Sequence, residues 1–387
     1  MTAFARRLRP IVVAALLMMP CTVVQAQSAR ADIPQAIATL PFELFYNGIY
    51  LQAQVNGSRP LWFVLDSGAS GCIVDLIHAR ALGLKTKDTV QGRGAGAGTV
   101  DVVRLEDTYA SLPGVDALIP VLMAIDLSGN LAQIGRPLDG ILGYEFFQRF
   151  VVQVDYDTQV LRFFDPKSYR TASHPIPFTL KKNRPHISAA IKVAGREPQT
   201  LEVLVDSGSA DGVDVDLISQ STAPKLVVVG GVGLGKEYQV IAGPVERFQV
   251  ADIVLEGAHG VSGGVQLIGG EVLKRFTVTF DYSRSHMHLE PNSHYHDPFR
   301  FDASGLDLRF VPQLRAFAVH SVLKDSPADG AGLREGDVIL ALDGTPSSAF
   351  TLPQAVALLQ RNGALYRLTV KRGDAVLTLP LQLRKLM

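Results

Sequence analysis

The sequence predicts a mostly β chain, built as two pseudo-symmetric lobes of one duplicated fold with a smaller third module behind them. Three observations lead there. The apolar run Leu61-Trp62-Phe63-Val64-Leu65 delivers Asp66-Ser67-Gly68-Ala69-Ser70 at a turn, and Leu201-Glu202-Val203-Leu204-Val205 delivers Asp206-Ser207-Gly208-Ser209 in the same way. Downstream, Ile141-Leu142-Gly143-Tyr144-Glu145-Phe146-Phe147-Gln148-Arg149-Phe150 is matched by Leu267-Ile268-Gly269-Gly270-Glu271-Val272-Leu273-Lys274-Arg275-Phe276. Beyond the polar stretch Asn292 to Asp302 the pattern changes altogether. A lone Asp-Ser-Gly is ordinary turn chemistry. Recurrence in register with a second block is not, and self-similarity of this length decides architecture before local propensity does.

Ahead of the first copy, Arg6, Arg7 and Arg9 precede a nine-residue apolar run, Ile11 to Met19, which is too short to span a bilayer. Val24-Gln25-Ala26 supplies small residues for cleavage before Gln27. Residues 1–26 are therefore expected to be a signal peptide, and the mature chain to be periplasmic or secreted without a stable membrane span. Cleavage removes three Arg and no acid, which leaves an overall neutral chain three charges negative. It also removes Cys21, so Cys72 has no internal disulfide partner; it is expected to behave as a small buried hydrophobe.

The 387 residues leave room for two or three domains, and 47% hydrophobic with 19% charged residues suits globular cores. No basic block points to nucleic acid. The first copy opens on Pro41-Phe42-Glu43-Leu44 and the second on Pro177-Phe178-Thr179-Leu180. Ile49 to Val55 alternates as a strand into the hairpin turn Asn56-Gly57. Ile73 to Leu84 is expected to be a short helix closed by Gly83. Gly92, Gly94, Gly96 and Gly98 fall at every second position, in what is expected to be a bending β-hairpin over residues 89–105, and Gly230, Gly231, Gly233 and Gly235 are the analogue in the second copy. The downstream blocks are offset by 126 residues and the Asp motifs by 140, so the second copy is 14 residues shorter between them. The lobes are placed at 36–168 and 172–292.

Each copy carries one carboxylate at one place in its fold, so packing about a pseudo-twofold axis can bring Asp66 and Asp206 face to face. Two carboxyls about 3 Å apart cannot both ionise and share one proton. With these residues in view, the chain resembles the aspartic proteases of the pepsin and retropepsin type. The resemblance implies Asp66 and Asp206 as the catalytic pair, with no metal or organic cofactor. Ser67 and Ser207 would fix the two loops across the axis beside Gly68 and Gly208, and Gly143 and Gly269 would allow close passage of a strand. The glycine-rich hairpins, with Gly94, Gly96 and Gly233, would be flaps over a peptide substrate. Unlike the pepsin flap, residues 89–105 hold no Tyr. From the residues themselves, the Ser209 hydroxyl is expected to donate to Asp206 and favour its ionised form.

His286, His288, His294 and His296 cluster at the end of the second copy. His286 and His288 share one strand face with metal-ligand spacing, but the second pair sits in loop-like sequence. An exposed strand running into a surface linker, with no metal, is expected.

The third module, 303–387, carries Ser326-Pro327-Ala328, Ala331-Gly332-Leu333, Gly336-Asp337-Val338-Ile339 and Asp343-Gly344. Thr351 with Gln354 forms a capping box ahead of a helix whose apolar face is Leu352, Ala355, Val356 and Leu359. The module resembles a PDZ domain of the bacterial protease type. That implies an extended peptide ligand added as a strand, with Gly305, Leu306, Leu308, Ala355 and Leu359 in its groove. Asp307 stands where the family usually has glycine, and an anion there would weaken capture of a C-terminal carboxylate. Internal segments or the chain's own lobes are the alternatives. A secreted aspartic endopeptidase is the reading adopted; a silent peptide-binding scaffold, lobes that pair between chains, and a restricted processing protease stay beside it.

Overall fold

The computed structural model describes residues 35–93, 98–171, 173–230 and 237–387. The expected signal peptide and the flap positions Gly94, Gly96 and Gly233 lie outside them.

The strand after Asn56-Gly57, Leu61–Leu65, is buried along its length because its neighbours cover both faces. It lies inside an eight-stranded sheet ordered Glu43–Phe45, Gly48–Val55, Leu61–Leu65, Gly140–Leu142, Ile73–Asp75, Val115–Ile125, Val100–Leu112, Thr86–Gly92. The second lobe repeats the order strand for strand: Thr179–Lys181, Arg184–Lys192, Gln199–Val205, Leu267–Ile268, Val213–Asp214, Ile253–Ser262, Gln239–Val250, Leu226–Val229. In both, the Asp strand runs parallel to the block strand, with Leu65 opposite Leu142 and Val205 opposite Ile268.

A six-stranded sheet joins the lobes, with Val151–Asp155 antiparallel to Phe276–Asp281 at its centre. There Val152 faces Phe280, Val154 faces Val278, and Gln153 faces Thr279. An offset of 126 carries 152 onto 278 and 154 onto 280, so the register maps onto itself and the pseudo-twofold axis passes through Gln153 and Thr279. Their side chains are hydrogen-bonded at 3.2 Å. Above this sheet Phe147 stacks on Tyr282 at 5.2 Å, and one continuous hydrophobic core spans both lobes.

Two expectations need correction. Ile73 to Leu84 is a strand, Ile73–Asp75, before it is a helix, Leu76–Ala81. Ile73 and Val74 pair with Met123 and Ala124 on one side and with Ile141 and Gly140 on the other, and β-branched residues between two partners belong in a ladder. The helix starts only where Asp75 caps it, accepting the Ile77 N–H at 2.9 Å. Nor are the histidine strand and the linker after it a loose surface. His288 is buried. Arg275, 1% exposed, donates to the main-chain carbonyls of His294, Tyr295 and Asp297, and its guanidinium lies 3.6 Å from the centre of the Phe299 ring. The apparent linker is held down by one buried cation with its donors satisfied.

The last module is a sheet ordered Leu306–Val311, Ala316–Val322, Val338–Leu342, Leu365–Arg372, Ala375–Gln382, with Thr345–Pro346 paired to Val338–Leu342. The helix Leu352–Leu359 packs on it with the predicted capping box in place. No helix among the described residues is long and apolar enough to cross a membrane.

Removing the clamp has a defined outcome. Arg275→Ala removes its charged hydrogen bonds to three carbonyls and to Glu271, which costs about 1–3 kcal/mol. It is expected to lower stability by that amount in chemical denaturation and to open Tyr295 and Phe299 to chymotrypsin in limited digestion.

Candidate active site

The two Asp strands end at their aspartates because the neighbouring block strand takes the next main-chain donor. The Asp66 N–H donates to Leu142 O and the Asp206 N–H to Ile268 O, each at 2.9 Å. Immediately afterwards both block strands pass beneath the opposite wall of the loop. A Cβ on Gly143 would lie 2.4 Å from the Gly71 carbonyl oxygen, and one on Gly269 would lie 2.4 Å from that of Asp211. Only glycine permits such an approach.

Across the axis the loops grip one another. The Ser67 N–H donates to Ser207 Oγ and the Ser207 N–H to Ser67 Oγ, both at 3.0 Å. Ser67 Oγ donates to Val205 O at 2.7 Å and Ser207 Oγ to Leu65 O at 2.9 Å. Both serines are buried, so each hydroxyl is fully used by the opposite lobe. The exchange brings each Asp against the other's glycine. A Cβ on Gly68 would stand 2.4 Å from the Asp206 carboxyl carbon, and one on Gly208 would stand 2.4 Å from that of Asp66.

The carboxyls of Asp66 and Asp206 come together within one chain, each seated against the other's loop glycine. Burial, then the charge of Asp206, holds Asp66 well above the ordinary carboxyl range. Burial raises Asp206 too; main-chain N–H groups oppose it at both, Gly68 at 2.7 Å and Ala69 for Asp66, Gly208 and Ser209 at 3.0 and 3.1 Å for Asp206, where the Arg184 cation adds to them. Burial thus holds both members of the pair above the ordinary carboxyl range. The Ser209 hydroxyl has no part in this, contrary to expectation. It accepts the Asp211 N–H at 3.3 Å, and the donation to Asp206 comes from the Ser209 main chain.

Two residues at this site escaped the sequence reading. Asn47 and Asn183 occupy hairpin tips at φ of 60° and 66° and reach across the axis. Asn47 Nδ2 donates to Ala210 O at 2.9 Å, and Asn183 Nδ2 to Ser70 O at 3.3 Å. The signal was available: the offset of 136 between Pro41 and Pro177 also carries 47 onto 183. Cys72 is buried, burial pushes its thiol up, and its sulfur accepts the Gly143 N–H at 3.3 Å. It packs as expected. The strands of both glycine hairpins pair antiparallel, Thr86–Gly92 with Val100–Leu112 and Leu226–Val229 with Gln239–Val250. No cluster of metal-ligating side chains occurs among the described residues.

In the third module Gly305 adopts φ +80°, and a Cβ there would lie 2.3 Å from Ser326. Leu306 is half-buried, but Leu308, Ala355 and Leu359 are core residues and not a free contact surface, because the helix needs that face to close the module. Strand Leu306–Val311 is an edge strand whose open side faces the first lobe. A Cβ on Gly135 would lie 3.1 Å from Leu352 Cβ and 3.6 Å from Phe310 Cβ, and Tyr46 packs against the module's core. From the second lobe Glu237, beside the flap strand, pairs with Arg309 at 2.9 Å and His320 at 3.0 Å. Arg309 also holds Asp307 at 2.7 Å, so that anion is balanced within this contact.

An aspartyl protease family model matches residues 51–146, and a PDZ domain model matches residues 319–372. A curated protein of Synechocystis sp. named "Putative serine protease HhoA" is 42% identical over 77 residues, which is 20% of this chain and 19% of that protein. The chain thus spans about a fifth of the length of the curated relative it matches. It is a mostly β protein. More particularly, it carries an aspartyl protease domain followed by a C-terminal PDZ domain.

The close strand passage is testable by stability. Gly143→Ala is expected to cost about 1–3 kcal/mol in thermal or chemical unfolding, the range for overpacking. Gly129→Ala, which would meet nothing within 4 Å at an ordinary helical φ of −70°, is expected to be close to neutral.

Proposed function

We propose that the chain is an exported aspartic endopeptidase that hydrolyses an extended peptide held between its two lobes and under its flaps. The observation that carries this reading is the pair of buried carboxyls, one from each lobe, each set against the other's loop glycine. Charged Asp206 takes a proton from a water molecule as general base, and the hydroxide formed attacks the scissile carbonyl carbon. Protonated Asp66 donates to the carbonyl oxygen, giving a tetrahedral gem-diol. Asp206 gives the proton it took to the leaving nitrogen as the C–N bond breaks, and a gem-diol hydroxyl gives its proton to Asp66, so the pair regains its single-proton state. The peptide would lie as an added strand.

The relative's name speaks of a serine protease. Ser67 and Ser207 do not suit that role here, because both hydroxyls are buried and donate to main-chain carbonyls of the opposite lobe. A scaffold without cleavage is disfavoured by the same set of parts, since a scaffold has no need of two aspartates raised by burial. The PDZ domain is proposed to position protein substrate.

The test is cleavage of a peptide library by the full chain from acidic to neutral pH. Asp66→Asn and Asp206→Asn are each expected to lose about 10²–10⁴-fold in kcat, the range for general acid–base groups. The pH–rate profile is expected to be a bell. Below the lower apparent pKa both groups are protonated and the base is lost; above the upper one both are charged and the acid is lost. Because burial and Asp206 push Asp66 up, the basic limb should lie above the usual carboxyl value of about 4. Cleavage surviving in either Asn variant would sink the reading. Ser209→Ala is expected to leave the acid limb in place, since the Ser209 hydroxyl accepts from Asp211 and only its main chain reaches Asp206.

A further inference from the structure

The duplication allows the two walls of the cleft to be compared residue by residue. In the first lobe, the strand after the Asp loop pairs Ile73 with Ile141; in the second it pairs Asp214 with Leu267. Since Leu142-Gly143 corresponds to Ile268-Gly269, Ile141 corresponds to Leu267, and Ile73 to Asp214. Core facing agrees: Val74 lies in the lobe core and Ile73 does not, while Val213 and Val215 lie in the core on either side of Asp214. The flap strands correspond likewise, with Gly92 opposite Val100 and Gly230 bonded to Tyr238 O at 2.7 Å.

In the first lobe this position is apolar. Ile73 packs with Val100, Val102, Met123 and Ala69 of the Asp loop. In the second lobe the same place holds Asp214, Asp211 and Tyr238. Asp214 is 4% exposed, and its Oδ1 has no hydrogen-bond partner among the described residues. Its carboxyl occupies room that Gly264 leaves: a Cβ there would lie 2.1 Å from Asp214 Oδ2 and 3.0 Å from the Tyr238 hydroxyl. Neither Asp214 nor Asp211 pairs with a cation among the described residues. A buried carboxyl oxygen without a donor is costly unless a donor arrives.

We propose that Asp214, with Asp211 and Tyr238, forms a subsite in the second lobe that selects a lysine or arginine side chain of the substrate, while the matching first-lobe subsite around Ile73 selects an apolar one. This rests on the proteolytic reading above. The electrostatics agree with it. Burial, then repulsion from Asp211, raises Asp214 to about 7, and burial, then the charge of Asp206, raises Asp211. An incoming ammonium or guanidinium relieves that repulsion and supplies the missing donor.

The test uses the full chain and peptides in which one lysine, or its uncharged isostere norleucine, is walked through the residues flanking the scissile bond. Lysine is expected to raise kcat/KM about tenfold or more over norleucine at one position only. Asp214→Asn should bring that ratio near one, and Asp214→Leu, which copies the first lobe, should invert it in favour of norleucine; an inverted preference cannot come from misfolding. Binding of the same two peptides is also measured by anisotropy on Asp66→Asn, alone and combined with Asp214→Asn. A wild type with no lysine preference in cleavage or binding, or a preference that survives both Asp214 variants, overturns the subsite. Absence of cleavage by the wild type, with the Asp214-dependent binding preference intact, overturns the catalytic reading and upholds the subsite.

Discussion

Two carboxyl groups held in contact would drive their loops apart if both were charged, and the architecture answers that one constraint. The reciprocal serine bonds tie each Asp loop to the strand beneath the other. The Asn47 and Asn183 tips add a second tie on each side. Below, the central sheet is registered so that the axis falls on Gln153 and Thr279. Neither lobe can form this floor alone. The interaction between the pair is therefore also an interaction between the two halves of the chain, and what keeps the proton shared is the stiffness of the packing around it.

Symmetry of the frame is not symmetry of the contents. The duplicated strands match in order, pairing and glycine positions, yet Arg184 follows one hairpin tip where Gly48 follows the other. Such differences tilt a shared proton toward one partner. Both aspartates accept two main-chain donors, Gly68 and Ala69 at Asp66 and Gly208 and Ser209 at Asp206, but the Arg184 cation acts on Asp206. One duplicated loop thereby supplies two unlike groups.

What could be read from the residues was whatever repeats or is local. The Asp motifs, the block glycines, the glycine hairpins and the Thr351 capping box all carry their cause within a few positions of themselves. The asparagine tips repeat too, but their partners lie on the far side of the axis, so nothing beside them in the chain shows their use. Arg275 sits in a block recognised for its glycine, and only folding brings the polar stretch 292–302 over it. Ser209 failed for a different reason: a hydroxyl and its own N–H lie close together, and chain order does not say which one faces the carboxylate. Leu308, Ala355 and Leu359 were legible as apolar, but apolar positions in a small module are claimed first by its core.

The seat of the third module changes what it means to treat the chain as a protease with an adaptor. Its open strand edge abuts Gly135, its core reaches Tyr46, and Arg309 and His320 hold Glu237 next to the second hairpin. Cutting the chain at the boundary would not release a finished catalytic half. It would bare an aromatic ring, leave one acid without its partners and untether the strand beside the second hairpin, so a trimmed protein would be a different surface. Whatever occupies that edge in the intact molecule competes for space with the chain's own first lobe.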